Sequence, residues 1–243
     1  MMNKVIDQDI DAECRVSSYE VDLSSIDTAP TSMLHKELQA SSTAKRWADL
    51  LVAILFLFIT APLIFILSLV IRRDGGPALF RQQRIGRNGK LITVLKLRSM
   101  EVGAEEVIRR DERMREHYKS SFKLADDPRV TPIGKLLRIT CIDELPQLIN
   151  VILGDMSLVG PRPVLYEETL IYGDSRELIL SVQPGMTGWW QIHRTEDTDY
   201  PERVRMEAWY VSHWSLLLDC KILLQTFPYI IKMVVKYLVN KEV

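Results

Sequence analysis

Residues 50–71 carry no charged side chain, and Pro62 sits near their middle. At ~1.5 Å per residue, a straight helix of that length reaches across a ~30 Å hydrocarbon layer. Proline at the centre removes a backbone hydrogen bond and bends the helix. Bases stand on both sides: Lys45 and Arg46 before, Arg72 and Arg73 after. The positive-inside bias then puts both ends on the cytosolic side. A re-entrant helix bent at Pro62 satisfies the length, the proline and the flanking charge. A straight crossing satisfies only the length and stays open as the alternative. The carbonyl freed by the proline needs a donor, and the Thr60 hydroxyl is the candidate.

The rest of the chain has room for one compact domain. Its charge is segregated. The net charge of all 243 residues is −1, yet residues 1–44 hold eight acids and only three bases, which leaves the body net positive. A basic body favours an anionic partner such as a phosphate, a nucleotide or a lipid headgroup. Residues 1–44 show no apolar period and read as a flexible acidic arm without a signal peptide. Cys14, Cys141 and Cys220 have neither paired nor metal-type spacing and read as reduced thiols.

Asp74-Gly75-Gly76-Pro77 ends the apolar segment. Two strand-like runs follow, on either side of Gly86-Arg87-Asn88-Gly89, and predict a β-hairpin rich in Arg and Lys. Residues 101–122 read as a charged, solvated helix. A turn at Asp127-Pro128 precedes a short helix over residues 131–138, and residues 141–153 read as the next helix. Residues 166–181 read as helical, 182–192 as a turn and then an aromatic strand, and 199–212 as an amphipathic helix. From Trp214 to Leu238 the apolar character is interrupted by Asp219, Lys221, Pro228, Lys232 and Lys236. A helix lying on the membrane surface and bent at Pro228 fits this better than a crossing. The divisions are thus 1–44 arm, 45–73 membrane helix, 74–213 cytosolic domain and 214–243 surface helix. The fold class is α/β, mainly helical with one hairpin.

Asp143 and Glu144 open the helix read over 141–153, with Arg129, Lys135 and Arg138 before them and Arg162 after. Asp143 fits a plain N-cap, and acids are favourable in a first turn. The same placement fits phosphate chemistry. A helix N-terminus lowers a carboxylate's pKa, keeping it ionised as a nucleophile or Mg²⁺ ligand. One carboxylate can attack phosphorus while the other holds metal or takes a proton. Pro161 and Pro163 fix Arg162 in an extended loop.

Six blocks carry a resemblance. They are the stretch Arg81-Gln82-Gln83-Arg84-Ile85-Gly86-Arg87-Asn88-Gly89-Lys90; Lys96-Leu97-Arg98-Ser99-Met100; the run from Asp127 to Lys135; Asp143-Glu144-Leu145-Pro146-Gln147; the run from Gly154 to Pro163; and Pro184-Gly185-Met186-Thr187-Gly188-Trp189. In this order and spacing the chain resembles the bacterial sugar transferases, the monotopic phosphoglycosyl transferases. The resemblance runs from about Lys45 to about Pro228. It implies transfer of a sugar-1-phosphate from a UDP-sugar to a polyprenyl phosphate such as undecaprenyl phosphate. UMP is released, and the path is ping-pong with Asp143 as nucleophile and Glu144 and Mg²⁺ assisting. It implies substrate contacts at Lys96, Arg98, Arg129, Arg138, Gln147, Pro161, Arg162 and Pro163. It also implies a membrane helix broken at Pro62, beside Thr60, on the cytosolic face of a bacterial inner membrane. The expected partners are the two substrates and membrane lipids, with no nucleic acid and with a homodimer left open. Exopolysaccharide, capsule or another surface glycan is the expected product pathway. Many members carry Asn/Ser-Gly-Arg where this chain has His193-Arg194-Thr195, and His193 reads as a surface residue. A membrane-docked Mg²⁺-dependent phosphohydrolase and a non-catalytic lipid-binding adaptor are the rival readings.

Overall fold

A computed structural model of the chain describes residues 31–104, 106–107, 127–195 and 198–241. Most of the charged stretch expected over 101–122 lies outside the described residues, as does the arm up to residue 30. Helix α1 runs Thr31–Ile71, so it begins inside the segment read as flexible arm. The reason is local: Pro30 stands just before its first residue, and Leu, Lys, Glu and Ala, all good helix formers, fill the following turns.

Strands β1 (Leu79–Ile85) and β2 (Leu91–Leu97) form the expected antiparallel hairpin, in register from Leu79 opposite Leu97 to Ile85 opposite Leu91. Asn88 at φ 56° and Gly89 at φ 76° turn the chain, the left-handed geometry that an Asn-Gly pair accommodates. Helices α2 (Pro132–Ile139) and α3 (Gln147–Leu153) follow, then β3 (Ser157–Val159), α4 (Tyr166–Thr169) and α5 (Arg176–Leu180). The stretch read as one helix over 166–181 is interrupted by a 3-10 segment, within which Gly173 takes φ 51°.

Strand β4 (Gly185–Thr187) pairs parallel with β3. The strand expected to continue through the aromatic run stops there, because residues Trp189–His193 form helix α6 instead. Their tryptophans are used in packing: Trp190 is buried, and the Trp189 ring lies 4.5 Å from that of Trp209. Helix α7 (Tyr200–Ser212) is capped by Asp199, which accepts from the Glu202 amide at 2.8 Å. Helix α8 spans Leu216–Lys241 and contains Pro228.

The main core joins Ala53 of α1, Ile92 and Val94 of β2, Leu148 and Val151 of α3, Val159 of β3, Tyr210 of α7 and Ile222 of α8. Asn150 substitutes for a third strand beside the hairpin. Its Oδ1 accepts from the Leu95 amide at 3.0 Å, and its Nδ2 donates to the Thr93 carbonyl at 2.7 Å. Two close approaches fix the loops around the site. A methyl on Gly134 would collide with the Ser99 carbonyl, and one on Gly185 would collide with the Gly160 amide.

Both ends of the apolar segment are fastened to this domain. Before it, Lys45 pairs with Asp219 at 2.5 Å, and Arg46 donates to the last carbonyls of α3, those of Val151 (2.5 Å) and Ile152 (2.8 Å). Asp49 accepts from the Ser157 hydroxyl at 2.7 Å. After it, Arg98 donates to the Ile71 carbonyl at 2.9 Å and to Asp74 at 2.5 Å. Phe58, midway between these anchors, is 81 % exposed. Thr60 donates to the Phe56 carbonyl at 2.7 Å, not to that of Phe58, the partner Pro62 leaves free. On α8, Leu217, Leu224, Ile231 and Leu238 are exposed at seven-residue spacing, so one face is apolar and uncovered. Among the described residues, Thr43–Asp74 and Leu216–Val239 are long and apolar enough to cross a membrane.

Candidate active site

Local chain geometry presents the two acids. Helix α2 starts at a Thr131 cap, whose hydroxyl accepts from the Gly134 amide at 3.0 Å. After Thr140 the chain reverses at Cys141, which takes φ 55°. Such left-handed backbone costs a non-glycine residue about 1–3 kcal/mol. A 3-10 turn over Ile142–Glu144 follows, and α3 begins only at Gln147. The expected N-cap role of Asp143 is therefore corrected, as is the single helix over 141–153. Pro146 would clash with the Ile142 carbonyl in a continuous helix, so the acids sit in the turn before it.

The two carboxylates meet different surroundings. Glu144 Oε1 accepts from Lys96 Nζ of β2 at 2.8 Å. Burial alone would raise its pKa, but Lys96, Arg162 and Arg194 together hold it below the usual carboxylate value. Asp143 is 7 % exposed. Burial first, and then the charge of Glu144, pushes it up to about 6, against the pull of Lys96 and Arg138. The sequence reading expected a lowered value from a helix N-terminus. With the helix starting four residues later, desolvation wins instead. The Cys141 thiol is pushed up to about 11 by burial and by both acids, so it stays protonated and unreactive.

The other expected site residues divide into two groups. Lys96, Arg138 and Arg162 surround the pair electrostatically. Arg138 is exposed, and its Nε donates to the Ser99 hydroxyl at 2.8 Å. Gln147 is buried directly after the turn. The Pro161 carbonyl accepts from the Gly185 amide at 2.8 Å, and Pro163 is half-buried beyond Arg162. Arg98 and Arg129 are placed differently. Arg98 is buried at the end of α1, and its Nε and Nη1 have no protein partner among the described residues. Arg129 is buried with both Asp127 oxygens, at 2.7 and 2.6 Å. A guanidinium forked onto a buried carboxylate is engaged in holding the loop.

Arg194 was missed by the sequence reading. Its Nε donates to Tyr229 on α8 at 2.8 Å, its guanidinium lies 5.4 Å from the Trp190 ring centroid, and its charge reaches Glu144. His193 is exposed and bonds locally, to the Trp189 carbonyl at 2.9 Å.

The family model for bacterial sugar transferases matches residues 40–233. The chain belongs to the bacterial sugar transferase family. It is 42 % identical over 198 residues to the undecaprenyl-phosphate galactose phosphotransferase of Salmonella typhimurium, covering 80 % of this chain and 42 % of that one. It is 42 % identical over 190 residues to the exopolysaccharide production protein ExoY of Sinorhizobium fredii, covering 76 % of this chain and 84 % of that one. It is 38 % identical over 191 residues to the UDP-glucose:undecaprenyl-phosphate glucose-1-phosphate transferase of Escherichia coli, covering 75 % and 39 %. The chain spans about two fifths of the length of the first and the last of these relatives.

The donor set suits the divalent cation that such a transferase implies. Among the described residues no cluster of three or more His, Cys, Asp or Glu forms an all-protein metal cage. Two adjacent carboxylates suit Mg²⁺, which takes one or two of them and completes its shell with phosphate oxygens and water.

The raised Asp143 pKa carries a stability consequence. Ionising Asp143 costs nothing below its unfolded value near 3.8, a growing amount up to about 6, and the full amount above that. Asp143→Asn removes a cost on the order of 2–3 kcal/mol at pH 7.5. The variant is expected to melt above the wild type at pH 7.5, with the difference closing near pH 4, as read by thermal unfolding in detergent. Equal melting at pH 7.5 would contradict the assignment.

Proposed function

We propose that this chain transfers a sugar-1-phosphate from a UDP-sugar to a polyprenyl phosphate, such as undecaprenyl phosphate, at the cytosolic face of a bacterial inner membrane. The observation that carries the reading is the unequal environment of two adjacent acids. Asp143 is buried and has no hydrogen-bond donor from another described side chain, while Glu144 is paired with Lys96. The relatives' names, with galactose and glucose among their sugars, support the same reaction class.

An Asp143 carboxylate oxygen attacks the sugar-side phosphorus of the UDP-sugar. The bond to the UMP oxygen breaks, and UMP leaves with the electron pair. An oxygen of the polyprenyl phosphate then attacks the same phosphorus, and the Asp143 carboxylate leaves. Lys96, Arg138 and Arg162 supply positive charge where negative charge is shared between attacking and leaving oxygens. Glu144 is held ionised by its cations and serves as the second metal ligand or as a proton acceptor. Mg²⁺ bound by Asp143 and Glu144 would neutralise the diphosphate. The transfer begins assembly of an exopolysaccharide, capsule or other surface glycan.

The decisive assay is UMP release by purified protein with Mg²⁺, polyprenyl phosphate and a panel led by UDP-galactose and UDP-glucose. Release is expected with at least one sugar, falling on the acid side as Asp143 protonates, and lost by at least a thousandfold in Asp143→Asn. Sugar phosphate freed without acceptor would favour a phosphohydrolase. A silent, well-folded protein would favour an adaptor.

The apolar segment is proposed to be re-entrant. The support is that the same domain grips both of its ends, at Arg46 and at Ile71, while Phe58 between them is exposed. The uncovered face of α8 would rest on the same leaflet. Trp47→Cys and Arg73→Cys, both at exposed positions, are expected to be labelled from the cytosolic side only, above the background of the native cysteines. Labelling of one from each side would establish a crossing.

A further inference from the structure

Behind the Pro161-Arg162-Pro163 loop lies a buried charged network that takes no part in the bond-making steps of the transfer. Prolines have no backbone N–H, so the Arg162 amide is the only main-chain donor the motif has. It donates to Glu207 Oε1 at 3.2 Å. Glu207 is 2 % exposed. The same oxygen accepts from Arg203 Nε at 3.2 Å, and Oε2 accepts from the Tyr172 hydroxyl at 3.0 Å. Arg203 Nη1 donates to Glu168 at 3.1 Å, and Glu168 also holds Arg84 at 3.1 Å and the Leu165 amide at 2.9 Å. The Arg203 guanidinium lies 4.6 Å from the Trp190 ring centroid, and Arg194 lies over the same ring. Two cations that serve Glu144 are thus mounted on one framework, Arg162 by its backbone and Arg194 through Trp190.

We propose that Glu207 and Arg203 are positioning residues, which set the Arg162 loop and, through Trp190, Arg194 in register with the acidic pair. The inference rests on the transferase reading. Buried ion pairs add little net stability over apolar packing, so the contribution expected here is geometric. Displacement of about 1 Å at such a site can cost about a hundredfold in rate.

Glu207→Ala tests this, with Glu207→Gln as the conservative control. The Arg162 amide and Arg203 Nε only donate, so alanine leaves both without their acceptor, whereas glutamine keeps its oxygen on them and turns its NH₂ to the Tyr172 hydroxyl, which can also accept. Glu207→Ala is expected to raise KM for the UDP-sugar at least tenfold in UMP release, and Glu207→Gln to stay near the wild type. Arg162→Ala with Glu207→Ala is expected to lose less than the product of the two single losses. Losses that multiply fully in that double variant, or a Glu207→Gln as poor as Glu207→Ala, would overturn the proposal. Arg203→Lys, which keeps charge but loses the fork and the stack, is the second variant should Glu207→Ala fail to fold; an unchanged KM there would also overturn it. Hydrogen exchange of the Arg162 amide reads the same contact without turnover. It is expected to quicken in Glu207→Ala, and unchanged protection would sink the proposal even if the wild type released no UMP. Silence of the wild-type assay would sink the transferase reading instead.

Discussion

The ion pair between Lys96 and Glu144 makes the acidic turn chemically useful. Two carboxylates on adjacent residues repel, and in a site of low polarity they cannot both ionise cheaply. The ammonium at 2.8 Å sets the order in which they lose their protons: it holds the pKa of Glu144 down, while burial first and then the charge of Glu144 raise that of Asp143. A carboxylate near pKa 6 is a better nucleophile than an ordinary one and is still largely ionised at neutral pH. Much of the surrounding structure serves to bring Lys96 there. The hairpin carries it, Asn150 stitches the hairpin's free edge to α3, and α3 follows directly on the acidic turn.

The charges beside the apolar segment do two jobs. Their sign matters to a membrane, and their hydrogen bonds matter to the domain. Arg46 satisfies the exposed carbonyls of α3, Lys45 neutralises buried Asp219, and Arg98 closes the far end of α1 at Ile71 and Asp74. The domain is thereby held at a fixed height against whatever the apolar segment enters. Arg194 extends that coupling to α8 through Tyr229, so the helix with the uncovered apolar face is joined to a cation of the site.

Sequence patterns exposed the features that local chemistry dictates. Asn88-Gly89 located the hairpin turn, Asp199 and Thr131 located two helix starts, and the two prolines around Arg162 fixed its loop. What stayed hidden depended on burial by the folded domain or on contacts distant in sequence. Asp127 stands two residues from Arg129, but only burial of the loop closes them into a fork, and nothing near Arg98 says that it will serve the end of α1. The raised pKa of Asp143 was hidden for the same reason. It follows from burial by the assembled domain, whereas the acids' place before an apolar run suggested a helix dipole. Arg194 lies in no motif block, and its role shows only once Trp190 and Tyr229 surround it.

The most direct measurement is mass spectrometry of the protein incubated with Mg²⁺ and a productive UDP-sugar in the absence of polyprenyl phosphate. The expected result is one added sugar phosphate, mapped to Asp143, absent from Asp143→Asn and discharged when the lipid acceptor is supplied. An adduct on another residue, or full turnover with no adduct at any stage, would contradict a covalent role for Asp143.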